Sequence, residues 1–427
     1  MKKIGLIPRK MRIDNAANIY PASLSKHYAS LYRLSISLSA QIRLPVLAQA
    51  LDRVSARIPS FRCTLTKGSF WWYLSRQEEG PQVLPLAPLS RAHFMCGNTL
   101  LYRVSADGCR IVLDVFHVLT DGNGALTFLL SLAAEYLRLQ YNAEIPASEF
   151  VLAPSEDPKV EEFEDSFKRV FHGKKGKLEK NDDAYHLPDE RLKGSALLSL
   201  RASLPEDEVL DAARRMGCTV TELLVSALLF SIQEEHRRDS DPRKKNVLKV
   251  SVPVNLRPRY GSRTLRNFSS YINMGIDVSA GYLEPEDIIR RVAWQKREGL
   301  RTELFESKIA ANVELEEMLI VRCIPLFIKK HVIDLINRLH GDRYFSTTLS
   351  NLGKVPLPAV MRPYVHELDF ALGRQRKTSG AAACVSCNGH LVLTLTRDIS
   401  SDAMERRLLA LLGSWGISAA VTEERLA

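Results

Sequence analysis

The passage His117-Val-Leu-Thr-Asp121-Gly122 constrains this 427-residue chain more than any other stretch. Residues 110–118, just before the turn, are rich in Ile, Val, Leu and Phe, which suits a strand. Residues 125–139, just after it, carry apolar side chains at helical spacing. A strand, a tight turn and a helix in so short a length deliver an imidazole to a strand end, where it can accept a proton near neutral pH. Ile111, Leu113, Val115 and His117 continue one face of that strand, so a half-buried core histidine is the plain alternative. Asp121, Asn123 or Thr120 can cap the following helix. Gly122 admits a backbone closed to a β-branched residue. Gly122-Asn-Gly124 imitates the opening of a dinucleotide-binding loop, but Thr127 stands where the third glycine belongs.

Strand and helix patterns alternate on both sides of this passage. A helix is expected over 47–57, a hairpin from 61–65 and 70–74 turning at Lys67-Gly68, and a second hairpin around Asp107-Gly108. Mixed strands and helices with several hairpins predict an α+β sandwich rather than a purely parallel sheet. The chain is too long for one ordinary core. A polar stretch over 154–194 divides it into an N-terminal half, 1–175, a linker, 176–194, and a C-terminal half, 195–427. The second half is expected to hold a strand over 196–203, a helix over 205–216 and a long apolar helix capped by Thr219 or Thr221. Further helices are expected over 284–302, 318–339 and 404–412, with strands over 249–255, 343–351 and 390–396.

Composition excludes more than it selects. Hydrophobic residues make up 45% and charged residues 25%, the balance of a soluble globular protein. The best candidate for a spanning helix, 318–328, is broken by Arg322 and Pro325, so no transmembrane segment is expected and the cytoplasm is the default compartment. Seven cysteines, scattered apart from Cys384 and Cys387, suggest reduced thiols rather than a disulfide framework. That Cys-x-x-Cys lacks a second ligand pair, so no metal is expected and buried strand thiols are the reading. The net charge of +10 favours an anionic partner. Its densest runs, 174–177 and 237–245, lie in Gly- or Pro-containing loops. No nucleic-acid motif accompanies them, so nucleic acid is not expected as a partner.

Several segments together resemble the chloramphenicol acetyltransferase-like superfamily, which includes peptide-synthetase condensation domains and alcohol O-acyltransferases. His117-x-x-x-Asp121-Gly122 matches its motif, although many members carry a second histidine where Phe116 stands. Arg57-Ile-Pro-Ser-Phe-Arg62, Gly68-Ser-Phe-Trp-Trp-Tyr73, Val252-Pro-Val-Asn-Leu-Arg257 with Arg266-Asn267-Phe268, and Thr348-Leu-Ser350-Asn351-Leu-Gly353 resemble further motifs in the order seen there. The resemblance implies two chloramphenicol acetyltransferase-like α/β sandwich halves with a channel between them.

It also implies that His117 is a general base and that Asp121 pairs with an arginine to fix the loop. Arg62 is the favoured partner, with Arg57 and Arg257 as the others. Asn255, Arg257 and Asn267 would hold the junction between halves. Ser350 and Asn351 are candidate oxyanion or channel donors, with a strand end entering a turn as the bland reading. No nucleophilic serine elbow is present, so direct transfer is expected. The implied activity moves an acyl group from acyl-coenzyme A, as co-substrate rather than bound cofactor, to an alcohol hydroxyl. The alternatives are ester or amide formation from a carrier-protein-bound acyl group, and a non-catalytic relative that binds an acyl ligand. Acyl chain length, the alcohol or amine acceptor, and oligomeric state are left open.

Overall fold

Apolar side chains gather into two cores, one under each of two large sheets. The computed structural model describes residues 8–25, 28–91, 93–95, 99–173, 176 and 182–427.

The first large sheet has five strands in the order Val365–Leu372, Leu31–Leu38, Arg110–Phe116, Tyr102–Asp107 and Val83–Leu84. Leu34, Ile36 and Leu38 alternate toward its core, as a strand period of two requires. The helix Leu44–Arg57 buries Leu47, Ala50, Leu51 and Val54, a stripe at spacings of three and four. The helix Gly122–Tyr141 is buried at every residue from Gly124 to Leu137, which is why its sequence is apolar all round. The Asp107–Arg110 hairpin turns through Gly108, whose φ of +57° suits a residue without Cβ. A small third sheet joins Lys10–Arg12, Trp72–Arg76 and Cys63–Lys67.

The seven-stranded sheet runs Ser269–Asp277, Val247–Asn255, Thr347–Lys354, Gly380–Cys387, His390–Arg397, Leu198–Pro205 and Ala420–Arg425. Thr347–Lys354 lies parallel to both neighbours and every other pair is antiparallel. The helix Val220–Arg238 packs on this sheet. It begins in a capping box, with Thr219 and Glu222 each satisfying the other's backbone N–H.

Two expectations are corrected, and four strands are added to them. The division at 176–194 is not a clean cut, because Val365–Leu372 from the second half pairs with Leu31–Leu38 of the first. Leu368 and Phe370 are buried in the first core, and the added strand covers an edge that would otherwise stand open. The helix expected over 318–339 is two helices, Leu319–Cys323 and Leu326–His340, because Ile324 is held extended before Pro325. The linking strand Leu31–Leu38 and the edge strands Ser269–Asp277, Val365–Leu372 and Ala420–Arg425 were not anticipated.

Lys174, Lys175 and Lys177 of the first basic run lie outside the described residues. Cys384 and Cys387 are buried in the strand Gly380–Cys387, and burial pushes each thiol up to about 12. Among the described residues no single helix is long and apolar enough to cross a membrane.

Gly124 marks a tight joint between the halves. A Cβ there would run into Thr120 Oγ1 and the Leu265 carbonyl. The backbone oxygen cannot move aside, so Gly124→Ala should destabilise the protein by about 1–3 kcal/mol. A denaturation midpoint equal to that of the wild type would show that the joint is looser than this.

Candidate active site

His117 stands one residue beyond the strand Arg110–Phe116. Its backbone N–H donates to the Ser30 carbonyl at 2.9 Å, and Leu119 N–H closes a turn onto the Phe116 carbonyl. Phe116 faces the first core and is buried, with its ring against Phe94. A histidine at position 116 would therefore be buried in apolar surroundings rather than placed beside His117.

The loop after His117 is tied to both halves. Tyr32 OH donates to the Thr120 carbonyl at 2.9 Å, and Thr120 Oγ1 donates to the Leu265 carbonyl at 2.6 Å. Asp121 caps the helix Gly122–Tyr141 by accepting from Gly124 N–H. Its two oxygens also receive Arg257 Nη1 and Nη2 at 2.8 and 2.9 Å, and Phe268 N–H at 2.9 Å. Burial would raise the Asp121 carboxyl, but the Arg257 charge and these hydrogen bonds outweigh it and hold the group below its ordinary range.

Arg257 is thus the partner of Asp121, and the expected Arg62 is not. Arg62 turns back to the helix Leu44–Arg57, where it donates to Ser55 Oγ and to the Asp52 carbonyl. Arg57 is taken by Glu162 through two bonds of 2.7 and 2.8 Å. The Arg257 guanidinium makes five donations, the remaining three going to Thr264 O, Asn255 Oδ1 and Arg266 O. That exhausts its donor set.

Gly122 does not serve a left-handed backbone, because it is absent from the positive-φ glycines. It lies where a Cβ would come within 2.9 Å of Leu352 Cδ2. The strand Thr347–Lys354 therefore abuts the start of the motif helix through Leu352. Asn351 in that strand is engaged: its amide donates to Thr221 Oγ1 at 3.0 Å and accepts from Gly353 N–H at 2.7 Å. Ser350 lies partly buried on the strand, two residues before Leu352.

Four groups surround or orient the imidazole, of which Asp14, Tyr20 and Tyr32 are missing from the expected set. Asn267 Oδ1 lies 2.9 Å from His117 Nδ1, and its Nδ2 donates to Asp14 Oδ2 at 3.1 Å. Burial raises the Asp14 carboxyl, and the Arg266 charge and the Asn267 amide oppose this; as a carboxylate it only accepts, and so fixes which end of the amide faces His117. Nδ1 must then carry the proton, and Nε2 keeps the lone pair. Asp14 also caps the turn at Ala17 and is buried beside Arg266. Tyr20 stacks on the imidazole at 4.4 Å, with its hydroxyl 3.5 Å from Nε2, and Tyr32 meets the ring edge-on. Burial lowers the His117 pKa below the ordinary 6.5, with Asp121 and Asn267 opposing this in part. Asn267 carried a signal in its motif; Asp14 and Tyr20 lie in no motif and are brought here by the tertiary fold. The resulting arrangement is a neutral imidazole with one fixed tautomer, set between the two halves and able to take a proton at Nε2.

No protein-family model matches the chain. The uncharacterized protein Rv2305 of Mycobacterium tuberculosis is 27% identical over 340 residues, spanning 75% of this chain and 76% of that protein. The TRI101 protein of F. graminearum, solved with coenzyme A and deoxynivalenol, superposes with a TM-score of 0.62 at 11% identity, covering 96% of this chain and 99% of that one. The first condensation domain of the calcium-dependent antibiotic synthetase gives 0.59 at 14% identity, over 96% and 99%. The chain has the two-lobed, mixed α and β fold of the trichothecene acetyltransferases and peptide-synthetase condensation domains. That fold is the one the resemblance led one to expect.

Two measurements test this geometry without an activity assay. Arg257→Leu strands a buried carboxylate and should cost about 3–5 kcal/mol, whereas Arg62→Ala should cost well under that. A double-mutant cycle with Asp121→Asn should couple to Arg257 and not to Arg62. Because Asp121 is depressed below 3.8, its stabilisation is present at neutral pH and lost as pH falls through that lowered value. Nitrogen-15 NMR should find His117 as the Nδ1–H tautomer, titrating below 6.5. A dominant Nε2–H form would refute the role given to Asn267.

Proposed function

We propose that the chain is an acyltransferase that moves an acyl group from an acyl-coenzyme A thioester to an alcohol hydroxyl, with His117 as general base. The observation that carries this reading is the His117–Asn267–Asp14 chain, which puts the lone pair of a neutral ring on Nε2, where an acceptor hydroxyl would replace the Tyr20 hydroxyl now 3.5 Å away. Nε2 takes the proton of the acceptor hydroxyl as its oxygen attacks the thioester carbonyl. Collapse of the tetrahedral intermediate breaks the carbon–sulfur bond, and the imidazolium returns the proton to the departing thiolate. The Tyr20 hydroxyl, near Nε2, marks where an acceptor oxygen would lie. Burial raises its pKa, so it stays a neutral phenol. Ser350 is the better of the two expected oxyanion donors, since Asn351 would have to give up its bond to Thr221.

The solved relative that holds coenzyme A supports this choice of donor, and the net charge of +10 suits its phosphates. His117→Ala should lower acyl transfer by about two to four orders of magnitude with the fold retained. Since burial lowers the His117 pKa, the neutral base persists below pH 6.5. The acidic limb of kcat/KM should therefore fall below that value, and Asn267→Ala should move it. Wild-type turnover in the His117→Ala protein would end this reading. Reaction with an acylated carrier protein, without reaction with free acyl-coenzyme A, would transfer the donor role to the carrier.

A further inference from the structure

We propose that Arg266 and Asp14 are positioning residues that decide which nitrogen of His117 carries the proton, by setting the orientation of the Asn267 amide. The inference deepens the general-base reading of His117 and rests on it for its consequence in catalysis. The Asn267 side chain is buried and has one partner at each end among the described residues. Its Oδ1 meets His117 Nδ1 at 2.9 Å, and its Nδ2 donates to Asp14 Oδ2 at 3.1 Å. An amide accepts at one end and donates at the other, in nearly the same shape either way round. The character of the Asp14 atom that faces it therefore selects the orientation.

Asp14 is held so that one oxygen does this work. Ala17 N–H donates to Oδ1 at 2.8 Å, which leaves Oδ2 turned to Asn267. Arg266 Nε lies 3.7 Å from that Oδ2, with the two side chains 5% and 1% exposed. The rest of the guanidinium is anchored on backbone, Nη1 donating to the Phe163 carbonyl at 3.3 Å and Nη2 to the Arg12 carbonyl at 2.7 Å. Nε has no hydrogen-bond partner among the described residues, so Arg266 acts on Asp14 by its charge, which is felt strongly at this depth. The other charges nearby do not replace it. Asp165, which accepts from Asn15 N–H, repels Asp14, and burial with that repulsion pushes its own carboxyl up to about 6. Lys168 stands 3.9 Å from Asp165 and is shared with Glu316, which also holds Arg12. Tyr20, on the His117 side, is a neutral phenol.

A proton on Asp14 reverses the arrangement. Burial raises the Asp14 carboxyl above 3.8 and the Arg266 charge opposes this, so the carboxylate is lost as pH falls through the raised value, and sooner without Arg266. Protonated Oδ2 becomes a donor. Asn267 then turns over, its Oδ1 accepting from Asp14 and its Nδ2 donating to His117 Nδ1. A donor facing Nδ1 requires a lone pair there, so the ring gives up its Nδ1 proton and takes one at Nε2. The imidazole stays neutral, and Asp14 alone has gained a proton from solvent. A histidine base held in the wrong tautomer is disabled with its geometry intact.

Asp14→Asn tests this, because it imitates the protonated acid without changing its shape. Ala17 N–H keeps the new carbonyl on its own side, so the new NH2 group faces Asn267. Nitrogen-15 NMR at neutral pH should find His117 as Nδ1–H in the wild type and as Nε2–H in Asp14→Asn. Arg266→Met should give the same change and move the acidic limb of kcat/KM to higher pH, whereas Arg266→Lys, which keeps the charge, should retain the Nδ1–H form. If Arg266→Met does not fold, the isosteric Asp14→Asn still decides. Its kcat should fall about a hundredfold with KM little changed. An Nδ1–H tautomer retained in Asp14→Asn overturns the inference, and a loss of activity alongside it assigns Asp14 a merely structural role. An Nε2–H tautomer in that variant with wild-type turnover upholds the control of the tautomer and removes His117 as the base, so the two readings fail separately.

Discussion

The bidentate pair between Asp121 and Arg257 is the constraint on which the rest of the structure depends. Asp121 belongs to the first half and Arg257 to the second, and both are buried or nearly so. Neither charge would be tolerated there alone. Each is fully used: Asp121 caps a helix and receives the Phe268 N–H, and Arg257 spends five donors on loop carbonyls, an amide and the carboxylate. The pair therefore fixes two things together. It sets where the motif helix begins, and it sets where the segment carrying Asn267 and Phe268 lies against it. Because Asn267 orients the imidazole, the ion pair positions His117 without touching it.

The lobes are less separate than a division by sequence suggests. A strand from the second half completes the first sheet, and Leu426 binds the backbone at Leu89. Relative motion of the halves is constrained by that shared strand as well as by the buried charge. His117 takes contacts from Asn267 on one side and from Tyr20 and Tyr32 on the other. Its burial lowers its proton affinity, which keeps the ring neutral at physiological pH without a directly bonded carboxylate.

Much of this was legible locally. The strand, turn and helix around His117 follow from β-branched residues, a capping aspartate and an apolar helix, all of which act within a few residues. The capping box at Thr219 and the helix break at Pro325 are local in the same sense. The buried strand Leu31–Leu38 carries a period of two, whereas Val365–Leu372 gives no local sign of which sheet it joins. Strand partners are chosen by burial across the whole chain, not by neighbours in sequence.

The sequence by itself determined the chemistry on offer: one imidazole at a strand end, one aspartate four residues on, and motifs in an order shared with a known superfamily. Tertiary structure alone decided how that chemistry is held. Among three arginines with equal charge, only Arg257 reaches Asp121, because Arg57 and Arg62 are taken by Glu162 and by the helix beside them. Asp14 and Tyr20 lie about one hundred residues from His117 in sequence and within two hydrogen bonds of it in space. A titratable side chain can be read from one position, but its tautomer and proton affinity belong to the groups packed around it, and packing is a property of the folded chain.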